Sequence, residues 1–133
     1  MDSHKKILLV DDDTDDQLFF VDAIKELEPT LECNVANNGL EALDYLEKIL
    51  LKPSLIFLDL NMPLMNGFEC LAQLKKINRY KEIPVIIFTT SNHLLDMERT
   101  ISMGAKMFLT KPPDYTILKK KLSDILKTFA LTV

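Results

Sequence analysis

Glycine is scarce in this 133-residue chain: Gly39, Gly67 and Gly104 are the whole complement, and they lie far apart. Without clustered glycines there is neither a GxGxxG dinucleotide loop nor a Walker phosphate loop, so any phosphate chemistry needs another device. Cysteine is as sparse. Cys33 and Cys70 make neither a disulfide framework nor a zinc site, which suits a reducing, cytoplasmic setting. Positive charge is in deficit, and the net charge of −4 argues against a protein that tracks nucleic-acid phosphates. No apolar run approaches the ~18 residues of a membrane helix. The first six residues, Met1 to Lys6, lead into no secretory segment. What remains, 47% hydrophobic and 27% charged residues, is the composition of an ordinary globular domain. One domain over 1–133, with its core over 5–128, is the expectation from length, with no room for an output domain.

Short apolar blocks and helical periods alternate along the chain. Residues 6–10 form an apolar block that stops at a run of aspartates and reads as a strand. Thr14-Asp15-Asp16-Gln17 has the pattern of a helix capping box, and Phe20, Ala23, Ile24 and Leu27 follow at helical spacing to Pro29. Residues 31–36 alternate apolar and polar, as a half-exposed strand does. Ala42, Leu43, Leu46, Ile49 and Leu50 predict a second helix, Phe68, Leu71, Leu74 and Ile77 a third. Met97, Ile101 and Met103 predict a fourth, stopped by Gly104, and residues 115–129 a fifth. Between them, 55–58 and 85–88 are apolar on both faces, and 106–110 is a fifth strand.

Repeated strand–helix alternation implies a parallel sheet with helices on both faces, an α/β fold. The near-continuous apolar strands belong inside; the second and fifth, which carry polar residues, belong at the edges. The resulting order, 2-1-3-4-5, is the one known as flavodoxin-like, a doubly wound (βα)5 sheet. In such sheets ligands sit beyond the carboxyl ends of the strands. Those ends carry Asp11-Asp12-Asp13, Asp59, Thr89-Thr90-Ser91 and Thr110-Lys111. Asp13, Asp15 and Asp16 also read as helix-capping carboxylates, whereas Asp11 and Asp12 precede the cap. With Asp59 they would crowd three carboxylates together, a repulsion that a hard cation such as magnesium relieves. Lys111 is either a solvated surface charge or a point charge that holds a phosphoryl oxygen; Thr89 is either a plain β-branched strand residue or a hydroxyl donor to the same group. Elsewhere the reading is plain. The methionines are packing, His4 and His93 have no ligand partners at suitable spacing, and Lys119, Lys120 and Lys121 form a solvated helix face.

Residues 7–12, Leu58 to Pro63 with Gly67, Phe88-Thr89, and Gly104 through Phe108 to Lys111-Pro112 together resemble the receiver domain of two-component response regulators. The resemblance covers residues 5–128 and is nearest in kind to the stand-alone, chemotaxis-regulator-like receivers. It implies that Asp59 accepts a phosphoryl group from a sensor histidine kinase or a histidine phosphotransfer protein. It implies that Asp11, Asp12, Asp59 and the backbone carbonyl of Asn61 hold Mg2+, and that Lys111 pairs with the phosphoryl group. Thr89 and Phe108 would then be switch residues that alter the surface of helix 4, strand 5 and helix 5 for a downstream protein target. The Lys111–Pro112 bond would be cis, and the protein a monomer or a phosphorylation-dependent dimer. Two other readings are a magnesium-dependent phosphatase with an aspartyl-phosphate intermediate, and a receiver-like adaptor that is never phosphorylated. Asn61 stands where that phosphatase class has a second, acidic aspartate, which weighs against the first. Asn66 and Pro113 depart from the family pattern, and the resemblance places Asn61 and Ser91 at positions that tune how fast an aspartyl phosphate hydrolyses.

Overall fold

A computed structural model describes residues 5–132; His4 lies outside the described residues. Ten elements alternate without exception: β1 (Lys6–Val10), α1 (Thr14–Leu27), β2 (Glu32–Ala36), α2 (Gly39–Lys48), β3 (Leu55–Leu58), α3 (Gly67–Lys76), β4 (Val85–Thr89), α4 (Leu94–Ser102), β5 (Met107–Thr110) and α5 (Tyr115–Thr128). The sheet is parallel with the order β2-β1-β3-β4-β5, as the polarity of the strands predicts. β3 and β4 are buried at every residue, while β2 and β5 are half-exposed edges.

Each inner strand feeds two cores, because successive side chains point to opposite faces. Leu8, Val10, Ile56, Leu58, Val85 and Ile87 pack with Ala42 and Leu46 of α2 and Cys70, Leu71 and Leu74 of α3. Ile7, Leu9, Phe57, Ile86 and Phe88 pack with Phe20, Ala23 and Ile24 of α1 and Leu118, Leu122 and Ile125 of α5. Three aromatic rings tie this second core: Phe20 meets Phe57 edge-on at 4.8 Å, and Phe88 lies 5.6 Å from Phe20. Burial raises both thiols, Cys33 and Cys70, to a pKa of about 12, so neither is a reactive thiolate. No helix among the described residues is long and apolar enough to cross a membrane.

Local chemistry sets the boundaries, and three sequence expectations shift. Asp13, not Thr14, caps α1, its carboxylate accepting from the Asp16 N–H at 2.9 Å. Aspartate is at least as good a cap as threonine, and it stands one residue earlier. The expected box partner, Gln17, instead donates to the Asp11 carbonyl at 2.6 Å and to Asn37 Oδ1 at 2.8 Å. α2 ends at Lys48, leaving Leu50 outside the helix and 97% exposed. In α4 the inward residue is Thr100; of the three predicted apolar residues Met97 and Ile101 are exposed, and Met103, at the C-cap, packs half-buried against the core. Gly104 does end α4. At φ +110° it allows the Ala105 N–H to reach the Thr100 carbonyl and its own N–H to reach Ile101, a Schellman closure.

Candidate functional site

The carboxyl ends of β1, β3, β4 and β5 open on one side of the sheet, and the loops there are held by backbone hydrogen bonds. Asp59 N–H donates to Val10 at 2.9 Å, Asp11 N–H to Ala36 at 3.0 Å, and Lys111 N–H to Thr89 at 2.6 Å. Gly67 brings α3 hard against the end of β3: a Cβ there would lie 2.2 Å from the Asp59 carbonyl oxygen. Asn66 and Glu69 form a reciprocal capping box that starts α3 at that point. The Asn66-x-x-Glu69 signal was present in the sequence, but the adjacent Asn-Gly pair reads more readily as a turn.

Asp11, Asp12 and Asp59 converge, offering ligand oxygens within 4.8 Å of one another. Asp11 and Asp59 are buried and Asp12 is exposed. Lys111 reaches into the cluster from β5. Its ammonium, on a side chain only 8% exposed, lies 2.8 Å from Asp11 Oδ2, 2.7 Å from Asp16 Oδ2 and 3.1 Å from Asp59 Oδ2. Asp59 Oδ1 accepts from the Leu60 N–H at 2.7 Å. Asp11 Oδ1 accepts from the Asp13 N–H at 2.9 Å. Asp11 Oδ2, by contrast, has no hydrogen-bond partner: the ammonium is close enough for an ion pair but lies off the line of a hydrogen bond.

This crowding is visible in the protonation equilibria. Burial is the main force on Asp11 and, with the charge of Asp59, raises its pKa from 3.8 to about 6 against the pull of Lys111 and the Asp13 N–H. Burial also works against the Lys111 charge, but the carboxylates of Asp11, Asp16 and Asp59 outweigh it and hold the ammonium above its ordinary value. Lys111 is therefore a fixed cation at every physiological pH.

The donor set fits a divalent cation. Three carboxylates are hard oxygen ligands, the type magnesium takes, and a buried carboxylate oxygen without a hydrogen bond is what a cation would satisfy. Asn61, the fourth expected ligand, lies exposed at the start of the β3–α3 loop. Thr89 is fully buried at the end of β4, where its Oγ1 accepts a long contact from the Ser91 N–H at 3.4 Å. Phe108 is half-buried on β5 and packs on the α2–α3 side of the sheet.

The expectation of a cis Lys111–Pro112 bond is overturned, since no peptide bond among the described residues is cis. Trans is the lower-energy isomer of an X-Pro bond, and in it Lys111 already spans to three carboxylates. Asp16 is the residue that sequence reasoning missed. It reads as a first-turn helix carboxylate, yet it makes the shortest of the Lys111 contacts, across 95 residues of chain.

Comparison with known proteins agrees with this geometry. The sequence matches the response regulator receiver domain over residues 7–123. The chemotaxis protein CheY1 of Helicobacter pylori (strain J99 / ATCC 700824) is 31% identical over 125 residues, covering 92% of this chain and 98% of that protein. The phosphorylated cyanobacterial phytochrome response regulator RcpA superposes with a TM-score of 0.88 at 29% identity, over 96% of this chain and 95% of that one. The Mn(2+)-bound form of response regulator Rcp1 gives 0.85 at 31% identity, over 97% and 96% of the two chains. With a doubly wound sheet of matching order, and acidic and basic groups gathered at its carboxyl edge, the chain belongs to the response regulator receiver domain family.

Proposed function

We propose that the chain is a phosphorylation switch in which Asp59 takes a phosphoryl group from a phosphohistidine on a sensor kinase or phosphotransfer protein. The observation that carries this reading is the convergence of Asp11, Asp12 and Asp59, with the Lys111 ammonium against Asp11 and Asp59 and a buried Asp11 oxygen left without a hydrogen bond. Asp59 Oδ attacks phosphorus, the P–N bond breaks, and the histidine nitrogen leaves with the electron pair and is reprotonated from solvent. Asp11, Asp12, Asp59 and the Asn61 carbonyl would hold Mg2+, which when bound offsets the charge of the transferring group.

The other steps fall to side chains of this chain. Leu60 N–H, on Asp59 Oδ1, fixes the carboxylate so that little is lost in ordering it at the moment of attack. Lys111 pairs with a phosphoryl oxygen, and because it is held charged it needs no proton from solvent. Thr89 donates its hydroxyl to the same group. In doing so it leaves only the long contact from Ser91 N–H, so the move sacrifices little. The added charge of roughly −1.5 to −2 then redraws the α4–β5–α5 surface, with Phe108 following Thr89, and a downstream protein reads the change.

The experiment is labelling by acetyl phosphate with and without magnesium, read by mass spectrometry on wild type and Asp59→Asn. A single phosphoryl adduct that needs magnesium and vanishes in the variant is the expected result. Label persisting in Asp59→Asn would remove the nucleophile, and sustained hydrolysis of small phosphoesters would make the chain a phosphatase.

A further inference from the structure

The ion pairs of Lys111 are unequal in kind. Asp11 and Asp59 belong to the carboxylate group that would hold a cation; Asp16, on the first turn of α1, does not. Asp16 nevertheless makes the shortest contact, 2.7 Å, while the ammonium stands farthest, 3.1 Å, from Asp59. The side chain of Asp16 is 34% exposed, so its charge is available at the rim of the site while its Oδ2 is committed to the lysine. The ammonium donates hydrogen bonds to Asp16 and Asp59 and is ion-paired with Asp11, so an arriving anion competes with carboxylates for Lys111.

Resting on the reading of Asp59 as phosphoacceptor, we propose that Asp16 is a positioning residue that draws the Lys111 ammonium back toward α1 and restrains its grip on the phosphoryl group. Once a cation engages Asp11 and Asp59, Asp16 is the carboxylate that continues to compete with the phosphoryl oxygens for the lysine. The position of Lys111 does not depend on Asp16. Its backbone N–H is fixed to Thr89, its ammonium lies 5.6 Å from the Phe88 ring, and Asp11 and Asp59 remain on its other sides. Removing the Asp16 charge therefore releases the ammonium toward Asp59 rather than setting it loose, and anions bind more tightly.

The test uses beryllofluoride, titrated at saturating magnesium and followed by amide chemical shifts, with the concentration of acetyl phosphate that half-saturates labelling as a second readout. Asp16→Asn is expected to bind beryllofluoride at least about threefold more tightly and to lower the half-saturating concentration without changing the maximal rate. Asp16→Glu, which keeps the charge, is expected to stay at the wild-type values. Asp15→Asn removes the same charge from the neighbouring exposed residue and is expected to shift binding much less. The proposal is overturned if Asp16→Asn binds with wild-type or weaker affinity, as a merely structural role would give, or if Asp15→Asn shifts it equally. A wild type that gives no magnesium-dependent response to either probe sinks the Asp59 reading and this proposal together; a responsive wild type with an indifferent Asp16→Asn sinks this one alone.

Discussion

Two helices flank the carboxylate edge, and they are held in opposite ways. α1 runs 14 residues, is capped by Asp13, and buries Phe20, Ala23 and Ile24 in an aromatic core. α4 runs 9 residues, has no side-chain cap on His93, and buries Thr100 alone, leaving Leu94, Leu95, Met97 and Ile101 exposed. Its start is tied by the Ser91 hydroxyl, which donates to Asp96 Oδ2 at 2.7 Å and accepts from the His93 N–H at 3.2 Å. On its flank, Arg99 stacks 3.9 Å over the Phe68 ring of α3. The lesson is a division of labour. Charge is assembled where the scaffold is rigid, and the helix beside Thr89 is fastened by contacts that are cheap to exchange.

The strongest test of that contrast is packing. Phe20→Ala is expected to cost about 3–5 kcal/mol in urea unfolding, whereas Met97→Ala changes stability by less than about 0.5 kcal/mol. Comparable losses at both positions would break the comparison. Next comes the tension stored on the α1 side. Asp11 binds its proton more tightly folded (pKa about 6) than unfolded (3.8), so the metal-free protein gains stability as pH falls from above 6 toward 4. The gain is about 2–3 kcal/mol, and Asp11→Asn should flatten this part of the urea-midpoint profile. An unchanged slope in that variant would place the tension elsewhere. The smallest effect is on the α4 side. Ser91→Ala removes both hydrogen bonds of its hydroxyl, together worth about 1 kcal/mol at this half-exposed site, so amide exchange in α4 should quicken roughly fivefold while α1 is unaffected.

Much of this was legible in the chain. Apolar runs at 55–58 and 85–88 fixed which strands are interior, and strand-end residues marked Asp11, Asp12, Asp59 and Lys111 as neighbours. Patterns of this kind survive because burial on both faces leaves strands no polar alternatives. What escaped is contact between distant segments. Asp16 has a sufficient local reason to exist as a first-turn carboxylate, so nothing in its surroundings announces a lysine far along the chain. The buried face of α4 escaped for a related reason. Met97 and Ile101 carry a helical period, but Thr100 is the residue that fits inside, its hydroxyl satisfied by the Asp96 and Met97 carbonyls.

The ladder of the sheet carries one further consequence. β4 and β5 stay paired out to Thr89 and Thr110, and Lys111 is laced to Thr89 beyond that. On the other side, Asp59 is laced to Val10. Between them the pairing of β3 with β4 stops at Leu58 and Ile87. The backbone edge thus ends as two stitched flaps, one bearing the aspartates and the other threonine and lysine, and the Lys111 side chain reaches across the seam, to Asp11 and Asp59. A group joined to Asp59 and gripped from the far flap would be a second stitch, and its removal would return the seam to that one thread without tearing either flap.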